Sequence, residues 1–156
     1  MKKSQKGFTL VELIVVIAII GILAAILVPA MMGYVKKSKL KSANSSAKLV
    51  FTTVEAAAAD VIADGGALSD ITSKGQTSVG DLDDGSVCGK AVYDALKDNG
   101  DDSGYVAWSV DTAGTNGTKY AVEWAHFSTG SGDDIVGRYP DPETDPDETH
   151  TCGTNW

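Results

Sequence analysis

The sequence predicts an α+β fold in which a long N-terminal helix, first membrane-spanning and then amphipathic, carries a small C-terminal antiparallel-sheet head. Three observations predict it. Side chains from Phe8 to Val35 are almost uniformly apolar, apolar residues from Leu40 to Val61 recur at intervals of three and four, and beyond Asp64 the chain turns Gly-, Ser-, Thr- and Asp-rich with short alternating runs.

Between Phe8 and Val35 the strongly polar side chains are Thr9 and Glu12. A helix of that length rises about 40 Å, more than the ~30 Å hydrocarbon core of a bilayer. A carboxylate in such a segment costs from about 2.5 kcal/mol upward and calls for a partner charge, so Glu12 is a candidate functional residue and an amine its candidate partner. Pro29 lacks an N–H and crowds the preceding turn, and with Gly21 and Gly33 it marks an expected kink or local break. An ordinary secretory signal would explain Lys2, Lys3 and Lys6, with Val28-Pro29-Ala30 as its cleavage site, but the apolar run is too long for it and Glu12 has no use there. A plain single-pass anchor is physically sound but leaves the string Gly7-Phe8-Thr9-Leu10-Val11-Glu12 unexplained. Charge does not orient the segment, because Lys36, Lys37, Lys39 and Lys41 on its far flank balance the leader lysines.

That string, preceded by a short basic leader and followed by about twenty apolar residues, resembles the class III signal of the type IV pilin and type II secretion pseudopilin superfamily. The resemblance is specific over residues 1–35, generic over 36–64 and weak beyond. It implies a leader of residues 1–7, cleavage between Gly7 and Phe8 by a membrane prepilin peptidase, and methylation of the new Phe8 amino terminus. It also implies that Glu12 meets the Phe8 amine of a neighbouring subunit in a fibre, and that the N-terminus starts in the cytoplasm. The partners it implies are other pilin subunits, the peptidase/N-methyltransferase, an inner-membrane assembly platform with its ATPase, and membrane lipid before assembly. The stretch from Gly21 to Pro29 would then be able to melt when subunits leave lipid for the fibre core.

Leu40, Ala43, Ala47, Val50, Val54, Ala57 and Val61 form one stripe of a continuing helix over 36–64, whose small residues permit close approach of a sheet. Asp64-Gly65-Gly66 is its stop. A coiled coil would need more than about three heptads and flanking charge pairs, so the stripe is expected to pack on the chain's own head. Residues 1–64 hold eight lysines and four acids, whereas residues 65–156 hold five basic and seventeen acidic residues, formal charges of +4 and −12. Such a head repels phosphates, and no nucleic-acid partner is expected of it.

Within the head, a helix is expected at Ser86 to Asp98, ended by Asn99-Gly100. Strands are expected at Gly104 to Val110 and Lys119 to Phe127, with Asn116-Gly117 in the turn between them, and a third at Ile135 to Tyr139. The segment from Pro140 to Glu148 is expected to run extended over the surface. Cys88 and Cys152 are an even pair in the extracytoplasmic half that the resemblance implies, which favours a disulfide closing about 65 residues and worth roughly 4 kcal/mol. Two buried free thiols are the alternative. The resemblance implies the bridge, since a C-terminal disulfide bounds a similar region in many pilins.

Asp81, Asp83, Asp84, Asp133, Asp134, Asp141, Asp145 and Asp147 offer oxygen ligands, but without EF-hand spacing, so no metal site is assigned. Trp108 and Trp124 are core candidates if they share a face, and Trp156 is the better surface aromatic. With two histidines, His126 and His150, and no nucleophile elbow or phosphate loop, neither catalytic residues nor a cofactor are expected. The expectation is a fibre-forming structural subunit, a single-pass membrane protein before assembly and part of an extracellular filament afterwards. The alternatives are a pseudopilin of a secretion or DNA-uptake machine and a membrane-anchored carbohydrate-binding protein.

Overall fold

The computed structural model describes residues 7–83, 85–100, 104–115, 119–131 and 135–154. Helix α1 runs from Leu10 to Ala63, and the chain divides at Val35 into two compact units. The first holds the apolar part of α1. In the second, the rest of α1 is followed by strand β1 (Lys74–Ser78), helix α2 (Val87–Asn99) and strands β2 (Tyr105–Val110), β3 (Val122–Ser128) and β4 (Val136–Tyr139). The four strands form one antiparallel sheet in the order β1-β2-β3-β4.

The end of α1 follows from Gly65, which adopts a φ of 68° that only glycine enters cheaply. With the chain turned there, Gly66 N–H donates to Val61 O at 2.9 Å and Gly65 N–H to Ile62 O at 3.3 Å, the paired bonds of a Schellman stop. Helix α2 is bounded as its sequence suggests. Ser86 Oγ accepts from Gly89 N–H at 3.2 Å at one end, and Gly100 in the left-handed region closes the other.

All seven residues of the predicted stripe are buried. Six of them, Ala43, Ala47, Val50, Val54, Ala57 and Val61, pack with Val92 and Leu96 of α2 and with Val106, Trp108, Ala125 and Phe127 of the sheet in the main core. Strand β4 shows why the stripe is built of small residues. A Cβ placed on Gly137 would lie 2.0 Å from the carbonyl carbon of Ala43, so strand and helix backbones touch. Asn44, next on the helix, accepts from Arg138 N–H at 2.9 Å and donates to Glu143 O at 2.8 Å. One helical side chain thus occupies an edge-strand donor and fixes the start of the C-terminal segment.

Strand β1 has no counterpart among the expected elements. Its sequence, Lys-Gly-Gln-Thr-Ser, lacks apolar alternation, because it is a partly exposed edge strand held by backbone pairing to β2. Strand β3 starts later than expected. Tyr120 has a φ of 66°, and the chain before Val122 forms a turn in which Tyr120 N–H donates to Asp111 O at 2.7 Å. The expected Asn116-Gly117 turn lies outside the described residues.

Replacing Gly137 with Ala is expected to force β4 off the helix at a cost of about 3 kcal/mol. Thermal unfolding of the detergent-solubilised chain should move down by roughly 10 °C, while Gly75→Ala, where an added Cβ meets nothing within 4 Å, leaves it nearly unchanged.

Candidate processing and assembly site

Residues 7–9 are not helical, and α1 begins at Leu10. Phe8 is 83% exposed, and nothing lies within 4 Å of a Cβ built on Gly7. The first helical turn carries a reciprocal cap. Thr9 N–H and Thr9 Oγ1–H both donate to Glu12 Oε2, at 2.8 and 2.6 Å, while Glu12 N–H donates to Thr9 Oγ1 at 3.3 Å. This is the Thr-x-x-Glu capping box, and it holds the Glu12 carboxylate at the positive end of the helix. The signal was present in the sequence as the three-residue spacing of Thr9 and Glu12. Both Thr9 bonds use Oε2, and Oε1 accepts no hydrogen bond from the described residues.

Every described side chain from Gly7 to Lys39 is exposed. Helix α1 is continuous through Gly21 and Pro29. Proline removes one intrahelical bond, and the turns on either side keep the remainder of a 54-residue helix in register. By length and composition this helix can cross a membrane.

The expected Cys88–Cys152 disulfide is not present, and both cysteines are free and buried. Cys88, on α2, lies in the main core with Val106 and Trp108, whereas Cys152 packs with Ala107 and Val136. Successive residues of β2 point to opposite faces, so the sheet stands between the two sulfurs. Burial raises both thiols, Cys152 to about 12 and Cys88 with a further contribution from Asp70, which keeps them protonated and unreactive at neutral pH.

The two tryptophans are separated in the same way. Trp108 is buried in the main core and donates from Nε1 to Thr72 O at 2.9 Å. Trp124 lies on the other face, stacked on His126 with centroids 4.3 Å apart. That second face is covered by the C-terminal segment, where Gly153 N–H donates to His126 Nδ1 at 3.2 Å. Pro140 to Glu148 forms neither helix nor strand, as expected, but it is tied down without a disulfide. Asn44 holds Glu143, and Asp147 pairs with Lys36. Asp84, Asp133, Asp134 and Trp156 lie outside the described residues, as do the leader lysines.

The family described as the prokaryotic N-terminal methylation motif matches residues 2–28. The type IV major fimbrial protein FimA of Dichelobacter nodosus is 42% identical over 82 residues, which cover 53% of this chain and 46% of that protein. The fimbrial protein EcpC of Eikenella corrodens is 60% identical over 43 residues, 28% of each chain. The type IV major alpha-pilin of Moraxella bovis is 52% identical over 54 residues, covering 35% of this chain and 34% of that one. The chain therefore spans less than half the length of these curated relatives. No solved structure matches. Residues 2–28 thus match the N-terminal methylation motif, and the chain is similar to type IV fimbrial proteins over part of its length, in a fold of one long apolar helix and a small antiparallel-sheet head.

His126 supplies a pH test of the head. Burial, then the charges of Arg138 and His150, pull it down to about 4 from an ordinary 6.5. Between those values the unfolded chain binds more protons, so stability is complete above about pH 6.5 and declines as pH falls toward 4. Glu143 is held low chiefly by the Asp145 backbone N–H, and its contribution is lost only at more acidic pH, below its ordinary 4.5. Thermal midpoints should thus fall between pH 7 and pH 4.5, and His126→Gln should flatten the profile in that window.

Proposed function

We propose that this chain is the structural subunit of a type IV pilus-like filament, stored in the membrane through α1, cleaved after Gly7 and polymerised through the same helix. What carries the reading is a capped helix whose apolar side chains from Phe8 to Val35 are all exposed. A monomer leaves no such surface bare in water, so it must be covered first by lipid and then by the helices of neighbouring subunits. The names of the relatives, fimbrial proteins and a pilin, support the same conclusion.

Cleavage between Gly7 and Phe8 removes residues that precede the cap and leaves Thr9 and Glu12 in place, so processing preserves the start of the helix. It also creates an α-amino group at Phe8, four residues before the carboxylate. In the filament Glu12 Oε1 receives the Phe8 amine of a neighbouring subunit while Oε2 keeps its bonds to Thr9. The ion pair offsets the burial of both charges and sets axial register, because one misplaced turn would leave each unpaired. The stretch from Gly21 to Pro29, with the weakest backbone of the segment, is where α1 lengthens or melts to fit this packing. The head remains outside the helical core as a structural rather than catalytic part.

Two experiments test processing and assembly separately. Mass spectrometry of sheared filaments should find a subunit beginning with methylated Phe8, and Gly7→Val should accumulate the uncleaved chain in the membrane. A mature subunit starting at Met31 would rule the assignment out. Glu12→Leu should insert normally, because it makes the segment more apolar, yet reduce sheared filament at equal subunit level by roughly tenfold or more, the effect of losing a desolvated ion pair. Glu12→Gln, which retains the shape and some hydrogen bonding, should be milder. Wild-type filament yield from Glu12→Leu would remove the carboxylate from the mechanism.

A further inference from the structure

We propose that Glu143, Glu148 and His150 form a binding site for a zinc-class divalent ion in the C-terminal segment. His150 Nε2 lies 2.9 Å from Glu143 Oε2 and 3.9 Å from Glu148 Oε1. One ligand atom from each residue falls within 4.8 Å of the others. Zinc bonds of about 2.0–2.2 Å in tetrahedral geometry set donor atoms roughly 3.3–3.6 Å apart, so an ion enters with small side-chain movements.

The arrangement suits a cation better than a simple ion pair. Two carboxylate oxygens surround one ring nitrogen, which can offer a single N–H, and the second carboxylate adds repulsion unless positive charge lies among all three. The first carboxylate is also aimed. Glu143 Oε1 accepts from Thr144 N–H at 2.7 Å and Asp145 N–H at 2.8 Å, which turns Oε2 toward His150. The Glu143 backbone is anchored in turn by Asn44 of α1. Such outer hydrogen bonds are what hold metal ligands in place. The Glu143 and His150 side chains are 12% and 11% exposed, whereas Glu148 is 61% exposed. The site is thus a sheltered pair closed by one exposed ligand.

Three ligands including an imidazole nitrogen select a borderline transition ion over calcium, which takes six to eight oxygens. Binding at Nε2 takes the neutral ring with its proton on Nδ1, and an imidazolium ring would first release its Nε2 proton to solvent. The ion would close the loop from 143 to 150 on the helix, the tethering that separated cysteines do not provide.

The test uses the full-length, detergent-solubilised chain freed of metal by EDTA, titrated calorimetrically with Zn2+ and followed by visible absorption with Co2+. One ion per chain is expected, with the intense visible bands of a low-coordinate cobalt site. Glu148→Gln should weaken binding at least about tenfold, as loss of one of three ligands requires, and His150→Asn should abolish it. Because Glu148 is exposed, the metal-free Glu148→Gln protein should unfold at the wild-type temperature, which separates a lost ligand from a lost fold. Cys88→Ser with Cys152→Ser should bind normally. Absence of saturable Zn2+ binding, unchanged binding in both ligand variants, loss of binding in the cysteine variant, or Ca2+ binding as tight as Zn2+ would each overturn the proposal.

Discussion

The head depends on the contact between the backbone of α1 at Ala43–Asn44 and β4 at Gly137. No side chain separates helix from strand there, and an added methyl group would overlap the helix carbonyl. The spacing set at this point lets Ala47, Val50 and Val54 pack in the same core as the inner face of the sheet. Asn44 converts the same contact into a directional one by bonding both the edge strand and the segment that follows it. Phe51 continues the contact with its ring edge against Tyr139, centroids 5.0 Å apart.

One helix therefore serves two environments by changing its composition along its length. Its N-terminal part is apolar around its whole circumference, the pattern of a helix surrounded by lipid or by other helices. Its C-terminal part is apolar on one stripe and packs on the sheet. The carboxylate at the start of the first part is not a stray charge. The capping box gives it an intrahelical role at Oε2, and Oε1 accepts no hydrogen bond from the described residues. A residue that both starts the helix and offers an acceptor ties the conformation of the N-terminus to its capacity to pair.

The sheet organises the rest of the head by separating two faces. The inner face holds Trp108, Ala125 and Phe127 against α1 and α2, and the outer holds Ala107, Trp124, His126 and Val136 under the C-terminal segment. Strand alternation assigns Cys88 and Cys152 to opposite faces, so an even cysteine count, sound as a statistical guide, fails on geometry. The segment is held instead by Asn44, by the Gly153–His126 hydrogen bond and by the Lys36–Asp147 ion pair, partners scattered across the chain.

Sequence alone determined what periodicity and local chemistry encode. The apolar span, the seven-residue stripe, the stop at Gly65, the limits of α2 at Ser86 and Gly100, and the alternation of β2 were legible because each is set by neighbours a few residues away. The Thr9–Glu12 cap was legible on the same grounds, through the three-residue spacing of its two members. Tertiary structure alone decided what depends on distant groups. Strand β1 exists because β2 offers it backbone partners, not because Lys-Gly-Gln-Thr-Ser favours a strand. Gly137 is required by a helix almost a hundred residues earlier in the chain, as the Asn44–Arg138 separation shows. The grouping of Glu143, Glu148 and His150 arises from a loop whose turns no periodic pattern marks. Local signals are written in residue order, whereas face, register and ligand geometry emerge only when the sheet closes on the helix.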